Sequence, residues 1–231
     1  QERVCFLSRP RRFGKSLLIS TLDAYFSGRK ELFQGLKMET LEHEWDVYPI
    51  FRIDFANGNF SNPDELTLML EGRVSDWERI YGKDDVYKTL GDRFKYVLEQ
   101  AAAKTGKKVV VLIDEYDRPL LDVLGEAQED KNRNILKNFY ATFKAADASL
   151  RFVLLTGVTK FSQITVFSGF NQPNDISMDS RYDAICGITE AELHNTFFEA
   201  IVVMAKKLGY TVEEMKAELS FMKSWGLPER R

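Results

Sequence analysis

Residues 4–22 read VCFLSRPRRFGKSLLISTL. Val4 to Ser8 reads as a short buried strand. An arginine-rich loop follows, and then Leu18, Leu22, Tyr25 and Phe26 recur at helical spacing. Between strand and helix lies Gly14-Lys15-Ser16, the ending of the phosphate-binding pattern G-x-x-x-x-G-K-[ST], with Arg9 standing where that pattern begins on glycine. The tripeptide alone is a weak signal, and its setting strengthens it. At a strand end that opens a helix, the amides of Phe13 to Ser16 point with the helix dipole at an anion. The expected binding segment is Arg12, Phe13, Gly14, Lys15, Ser16 and Leu17. Lys15 reaches phosphate oxygens, and the Ser16 hydroxyl is a hard oxygen ligand suited to Mg²⁺.

A second stretch, VVVLIDEYD at 109–117, is a continuous β-branched run ending in acids. A strand buried on both faces of a parallel sheet has this composition. Asp114 at its end would hold Mg²⁺ through water, and Glu115 beside it would polarise an attacking water as general base. Taken singly, the two acids read equally well as strand-end groups paired with lysine or arginine. With the loop placed earlier in the chain, they point to phosphate binding.

Other candidates stay open between two readings. Thr156 and Thr159, in LLTGVTKFS, either orient a water and sense a phosphate or bond local backbone. Asp54 closes FRIDF, and Asp117 with Arg118 reads as a structural ion pair. Arg9, Arg11 and Arg12 are either extra phosphate contacts or solvated charge. Arg181 is a candidate sensor or finger arginine whose geometry the sequence does not fix. His43 and His194 are too few and too isolated for a metal cluster.

Composition sets the bounds. The 231 residues are 44% hydrophobic and 29% charged, enough for one main domain with a smaller appendage, and strands alternating with helices imply that it is an α/β domain with a mainly parallel sheet. A formal charge of -3 gives no bulk attraction to nucleic acid. No apolar run approaches the ~18 residues of a membrane span. Cys5 and Cys186, each in an apolar stretch, read as buried thiols of a reducing, cytoplasmic protein. The chain opens at Gln1 close to its first strand, which suggests a longer natural polypeptide.

Further strands are expected at Ile50 to Phe55, from Leu150, and in AICGI from Ala184. Helices are expected from Asn62 (N-cap) and Pro63 to Ile80, from Val86 to Lys104, and after Pro119. Another runs from a Thr189/Glu192 capping box to Leu208, and a last one from Val212 to Trp225. The expected division is a core over 1–188 and a helical lid-like extension over 189–231.

FLSRPRRFGKSLLISTL, YPIFRIDF, VVVLIDEYDRPL, LLTGVTKFS, SGFNQPNDISMD and ICGITEAEL together resemble the bacterial AAA-ATPase-like family. That family is often found with a C-terminal PD-(D/E)XK nuclease-like domain. Its own loop typically reads Arg-Pro-Arg-Arg-Phe-Gly-Lys-Ser, so Arg9 departs only from the generic pattern. The resemblance implies a P-loop NTPase three-layer sandwich with a mainly parallel five-stranded sheet of order 5-1-4-3-2. It thereby brings Cys5 and Cys186 onto adjacent strands. It also implies ATP as the nucleotide and Mg²⁺ as cofactor, Lys15 and Ser16 in the phosphate loop, Asp114 and Glu115 as the acidic pair, and Thr156 as the sensor. A nuclease-like domain or partner protein and an oligomer are the implied associations. The leading expectation is an Mg²⁺-dependent ATPase. A nucleotide-binding switch without turnover and a kinase-like transferase are its alternatives.

Overall fold

The computed structural model describes residues 3–159, 174–182, 184–187 and 189–225. The chain divides into two compact units, Gln1–Ser180 and Arg181–Arg231.

The first unit is built on five parallel strands: β1 (Val4–Ser8), β2 (Ile50–Asp54), β3 (Val109–Asp114), β4 (Leu150–Gly157) and β5 (Asn174–Asp175). Their order is β2-β3-β4-β1-β5, which is the expected 5-1-4-3-2 read from the other edge. Every residue of β3 is buried, as its unbroken apolar run requires.

Helices cover both sides of the sheet. They are α1 (Lys15–Phe26), α2 (Lys37–Leu41), α3 (Glu65–Tyr81), α4 (Leu90–Thr105), α5 (Arg118–Leu121) and α6 (Ala127–Ala145). Alternate strand residues, among them Phe6, Phe51, Ile53, Val111 and Leu155, meet Leu70, Trp77, Phe94, Val97 and Phe139 from α3, α4 and α6 in one core. The Phe94 and Phe139 rings stack there with centroids 4.4 Å apart. Truncating either ring would cost about 3–5 kcal/mol through lost transfer energy and the cavity left behind.

Five local expectations are corrected. The fifth strand is Asn174–Asp175, paired with Cys5 and Phe6. Ala184–Gly187, inside the expected strand AICGI, forms turns and bends, with Cys186 at φ 60. Cys5 therefore pairs with Asn174 in the sheet, and Cys186, half-buried, lies on no strand. A two-residue edge pairing carries too little apolar pattern to be read from sequence, whereas AICGI offered more than the backbone uses.

The other corrections concern helix ends. α3 starts at Glu65 with Asp64 as its N-cap. Thr89, whose hydroxyl accepts from the Asp92 amide, starts α4 four residues later than Val86. The single helix expected to follow Thr189 is two, α7 (Glu190–Asn195) and α8 (Phe198–Leu208).

In the second unit the Thr189/Glu192 capping box is formed, and Gly209 closes α8 at φ 76 in the left-handed region. A second reciprocal cap, Thr211 with Glu214, opens α9 (Val212–Trp225). Ile201, Ala205 and Met215 form this unit's own small core. Among the described residues no helix is long and apolar enough to cross a membrane.

Candidate functional site

The carboxyl ends of β1, β4 and β3 lie side by side. Leu7 pairs with Thr156, Ser8 with Gly157, and Ile113 with Leu155. With strands about 4.8 Å apart, the loop after β1 and the acids after β3 open about 10 Å from each other across β4. Ligands of open parallel sheets bind outside this edge.

The loop after β1 runs from Arg9 to Gly14. Two of its residues are left-handed, Arg12 at φ 67 and Gly14 at φ 84. A Cβ on Gly14 would meet nothing within 4 Å, so glycine is suited there by backbone conformation and not by crowding. Arg9 is not among the left-handed residues, so its backbone needs no glycine. Its amide donates to the Gly157 carbonyl at 3.1 Å, and Nη1 reaches the Ser8 and Ser177 carbonyls at 3.1 and 2.7 Å. The residue that breaks the generic pattern thus ties the loop to β4 and to the segment after β5.

Lys15 is buried, and its Nζ donates to the carbonyls of Arg9 and Pro10, each at 3.0 Å. The ammonium is therefore folded back into its own loop. Gly14, Ser16 and Leu17 are exposed at the helix start, Phe13 is half-buried, and Arg11 and Arg12 are exposed.

Across β4, Asp114 is fully buried. Its Oδ1 accepts from Thr156 Oγ1 at 2.6 Å and from the Glu115 amide at 3.0 Å, while Oδ2 is buried with no hydrogen-bond partner among the described residues. An orphaned carboxylate oxygen is costly unless something positive completes it. Among the described residues no group of three or more His, Cys, Asp or Glu could hold a metal alone. One carboxylate oxygen and one exposed serine hydroxyl fit Mg²⁺, which keeps waters and takes further oxygens from phosphate.

Glu115 sits at φ 52, a conformation uncommon for a residue with a Cβ. Its Oε2 pairs with Arg118 Nη1 at 3.2 Å. Arg118 also bonds the Ala56 carbonyl and reaches Asp122 at 3.4 Å. Burial would lower the guanidinium pKa, but the bonds to Glu115 and Asp122 outweigh it and hold the pKa up.

Asp117 does not form the expected ion pair with Arg118. Its buried Oδ2 accepts instead from the amides of Val158 and Thr159 at 2.9 and 2.7 Å and from Thr159 Oγ1 at 2.6 Å. Thr159 thus bonds to the turn after β3, and Thr156 bonds across strands to Asp114 at the end of β3. Tyr116, buried edge-on against Phe6 with centroids 5.1 Å apart, has its phenol pushed upward by desolvation. Asp54 lies opposite Asp114 in the β2–β3 ladder and accepts from the Ala56 amide at 2.8 Å.

Sequence reasoning missed Ser177. Its Oγ accepts from the Ser8 amide at 2.8 Å, and its own amide donates to Asp175 Oδ1 at 2.9 Å. This part of SGFNQPNDISMD therefore buttresses the end of β1. Residues 168–173 of that motif lie outside the described residues. Arg181 stands against the Tyr182 ring, 5.4 Å from its centroid, and His194 beside Glu190, both within the second unit.

Residues 1–167 match the family model described as "Predicted AAA-ATPase". A curated relative, "Uncharacterized protein in vnfD 5'region" of Azotobacter chroococcum mcd 1, is 41% identical over 200 residues. The match covers 83% of this chain and 37% of that relative's length.

Proposed function

Since the chain belongs to the predicted AAA-ATPase family, an ATPase-like module, we propose that it binds Mg²⁺-ATP at the carboxyl edge of β1, β4 and β3 and hydrolyses it. The observation that carries this reading is Asp114. One of its buried oxygens is held by Thr156 and the other is left for a cation.

The amides from Arg12 to Leu17 and the positive end of α1 receive the phosphates. Lys15 exchanges the Arg9 and Pro10 carbonyls for phosphate oxygens. Ser16 and Asp114 would hold Mg²⁺, which when bound would offset charge on the phosphate oxygens as a Lewis acid. Glu115 accepts a proton from a water whose oxygen bonds to the γ-phosphorus. The bridging P–O bond breaks, leaving ADP and inorganic phosphate. Thr156 acts as a positioning residue, fixing Asp114 Oδ1. Because Asp117 holds Val158 and Thr159, a shift at Glu115 has a physical route beyond the site, and we infer that nucleotide state is passed to a further domain or partner.

One observation favours a second reading, a nucleotide-binding switch without turnover: Glu115 is ion-paired with Arg118 and so partly withdrawn from water activation. Phosphate release from Mg²⁺-ATP, measured for the protein and for Glu115→Gln, separates the two. Hydrolysis lost in the variant with nucleotide binding kept supports the ATPase. Binding with no release in either supports the switch, and ATP affinity unchanged by Lys15→Ala would refute the site.

A further inference from the structure

A cavity of about 520 Å³, sharing no residue with the candidate site, lies where α3 hands over to α4. Its floor is an ion pair. Arg93 donates through Nε to Glu78 Oε1 at 2.9 Å and through Nη2 to Oε2 at 2.7 Å, and Nη2 also reaches Ser75 Oγ at 3.0 Å. The two side chains are only 17% and 6% exposed, so this fork is fixed and its charges are mutually satisfied.

The rim is different. Arg79, Lys83 and Lys88 line it against the single carboxylate Asp85. The four lining cations less the two lining acids leave +2, on a chain whose formal charge is -3. Asp76 holds Arg79 from outside the cavity at 2.8 Å, and Asp85 holds Lys83 at 2.6 Å. Exposed pairs of this kind contribute little and exchange readily for phosphate oxygens. The Lys104 ammonium stands behind the turn, 3.5 Å from where a Cβ on Gly82 would sit.

An aromatic face completes the cavity. Tyr87 lines it and stacks on Tyr96 with centroids 4.8 Å apart and planes 30° from parallel. Tyr87 is exposed and Tyr96 half-buried beneath it, so one ring is presented on a second. A backed aromatic ring flanked by lysines and an arginine is the chemistry that holds an unpaired base and its phosphates together. An acidic peptide would use the cations and leave the ring idle. The volume accommodates one nucleotide-sized unit.

We propose that this cavity binds single-stranded nucleic acid, with one base against Tyr87 and the flanking phosphates on Arg79, Lys83 and Lys88. The test is fluorescence anisotropy with a labelled thymidine oligonucleotide of about ten nucleotides, across a salt series. The protein binds, and salt weakens the complex. Lys83→Glu with Lys88→Glu lowers affinity at least ~10-fold and flattens the salt slope by about 1.4, from two phosphate contacts at about 0.7 each. Tyr87→Leu lowers affinity about tenfold and leaves the slope unchanged. Lys15→Ala binds the oligonucleotide like the parent, which separates failure here from failure of the ATP reading. Absent binding at low salt, affinity unmoved by the cavity variants, loss in Lys15→Ala, or equal competition by polyglutamate would each overturn the proposal.

Discussion

Thr156 Oγ1 donates to Asp114 Oδ1 across 2.6 Å, joining the end of β4 to the acid that closes β3. Both residues are fully buried, and the other Asp114 oxygen has no partner among the described residues. Thr156→Val keeps the shape and removes the donor. It should lower unfolding free energy by about 1–3 kcal/mol in urea titrations, because a buried acceptor loses a bond. It should also slow ATP turnover, while Thr156→Ser restores both. Unchanged stability in the valine variant would mean that the bond is not formed.

Gly157 should tolerate no side chain. A Cβ there would lie 2.4 and 2.6 Å from Tyr116 ring carbons and 2.7 Å from Asp117 Oδ1, and both neighbours are buried. Gly157→Ala is expected to destabilise by about 3 kcal/mol through overpacking. A double variant with Tyr116→Leu should cost less than the sum of the two single changes, since it vacates the contested space. Additive losses would argue against the clash.

Arg118 is expected to restrain Glu115. Arg118→Ala frees the carboxylate, and basal phosphate release should rise severalfold with ATP affinity little changed. The stability loss should be about 1 kcal/mol, since these pairs are partly exposed. A fall in turnover would instead make Arg118 part of the reacting machinery.

The Tyr25–Glu42 hydrogen bond predicts a pH signature. Desolvation, then the bond to Glu42 and its charge, push the Tyr25 phenol from 10.0 up to about 12. The bond from Tyr25, helped by nearby amides, holds the Glu42 carboxyl below its ordinary value. The raised phenol contributes stability that is complete below pH 10.0 and lost as pH rises through about 12. The lowered carboxyl contributes above its unfolded value of 4.5, and that contribution disappears on acidification. The melting-temperature advantage of the parent over Tyr25→Phe should therefore hold near neutrality and shrink toward both extremes. A difference independent of pH would exclude the coupling.

The sheet was legible because its central strands carry continuous apolar runs. VVVLI and VLL mark strands buried on both faces, and GKS at a strand-to-helix junction marks the edge where ligands of open parallel sheets bind. Fold class and the Thr189/Glu192 cap followed from such local patterns, and the strand order from the family resemblance. The two-residue β5 did not, because its place depends on Cys5 and Phe6 far away in sequence and not on its own composition. The site divides in the same way. Lys15, Asp114 and Glu115 announce themselves through spacing. The roles of Arg9, Asp117 and Ser177 depend on which carbonyl or amide the folded backbone presents, and residue type alone does not encode that. Asp117 and Arg118, adjacent in sequence, look like partners, yet the turn after Glu115 sends their side chains to different segments.

Gly157 pairs with Ser8 in the ladder, its carbonyl takes the Arg9 amide, its missing side chain makes room for Tyr116, and Asp117 grips the two residues that follow it. The three segments are thereby keyed to a single residue, like wards cut for one lock. Inserting one residue between Leu155 and Gly157 would move a bulkier neighbour into that slot and misalign all three together. Chain length can change in the surface connections, but along these few positions it cannot.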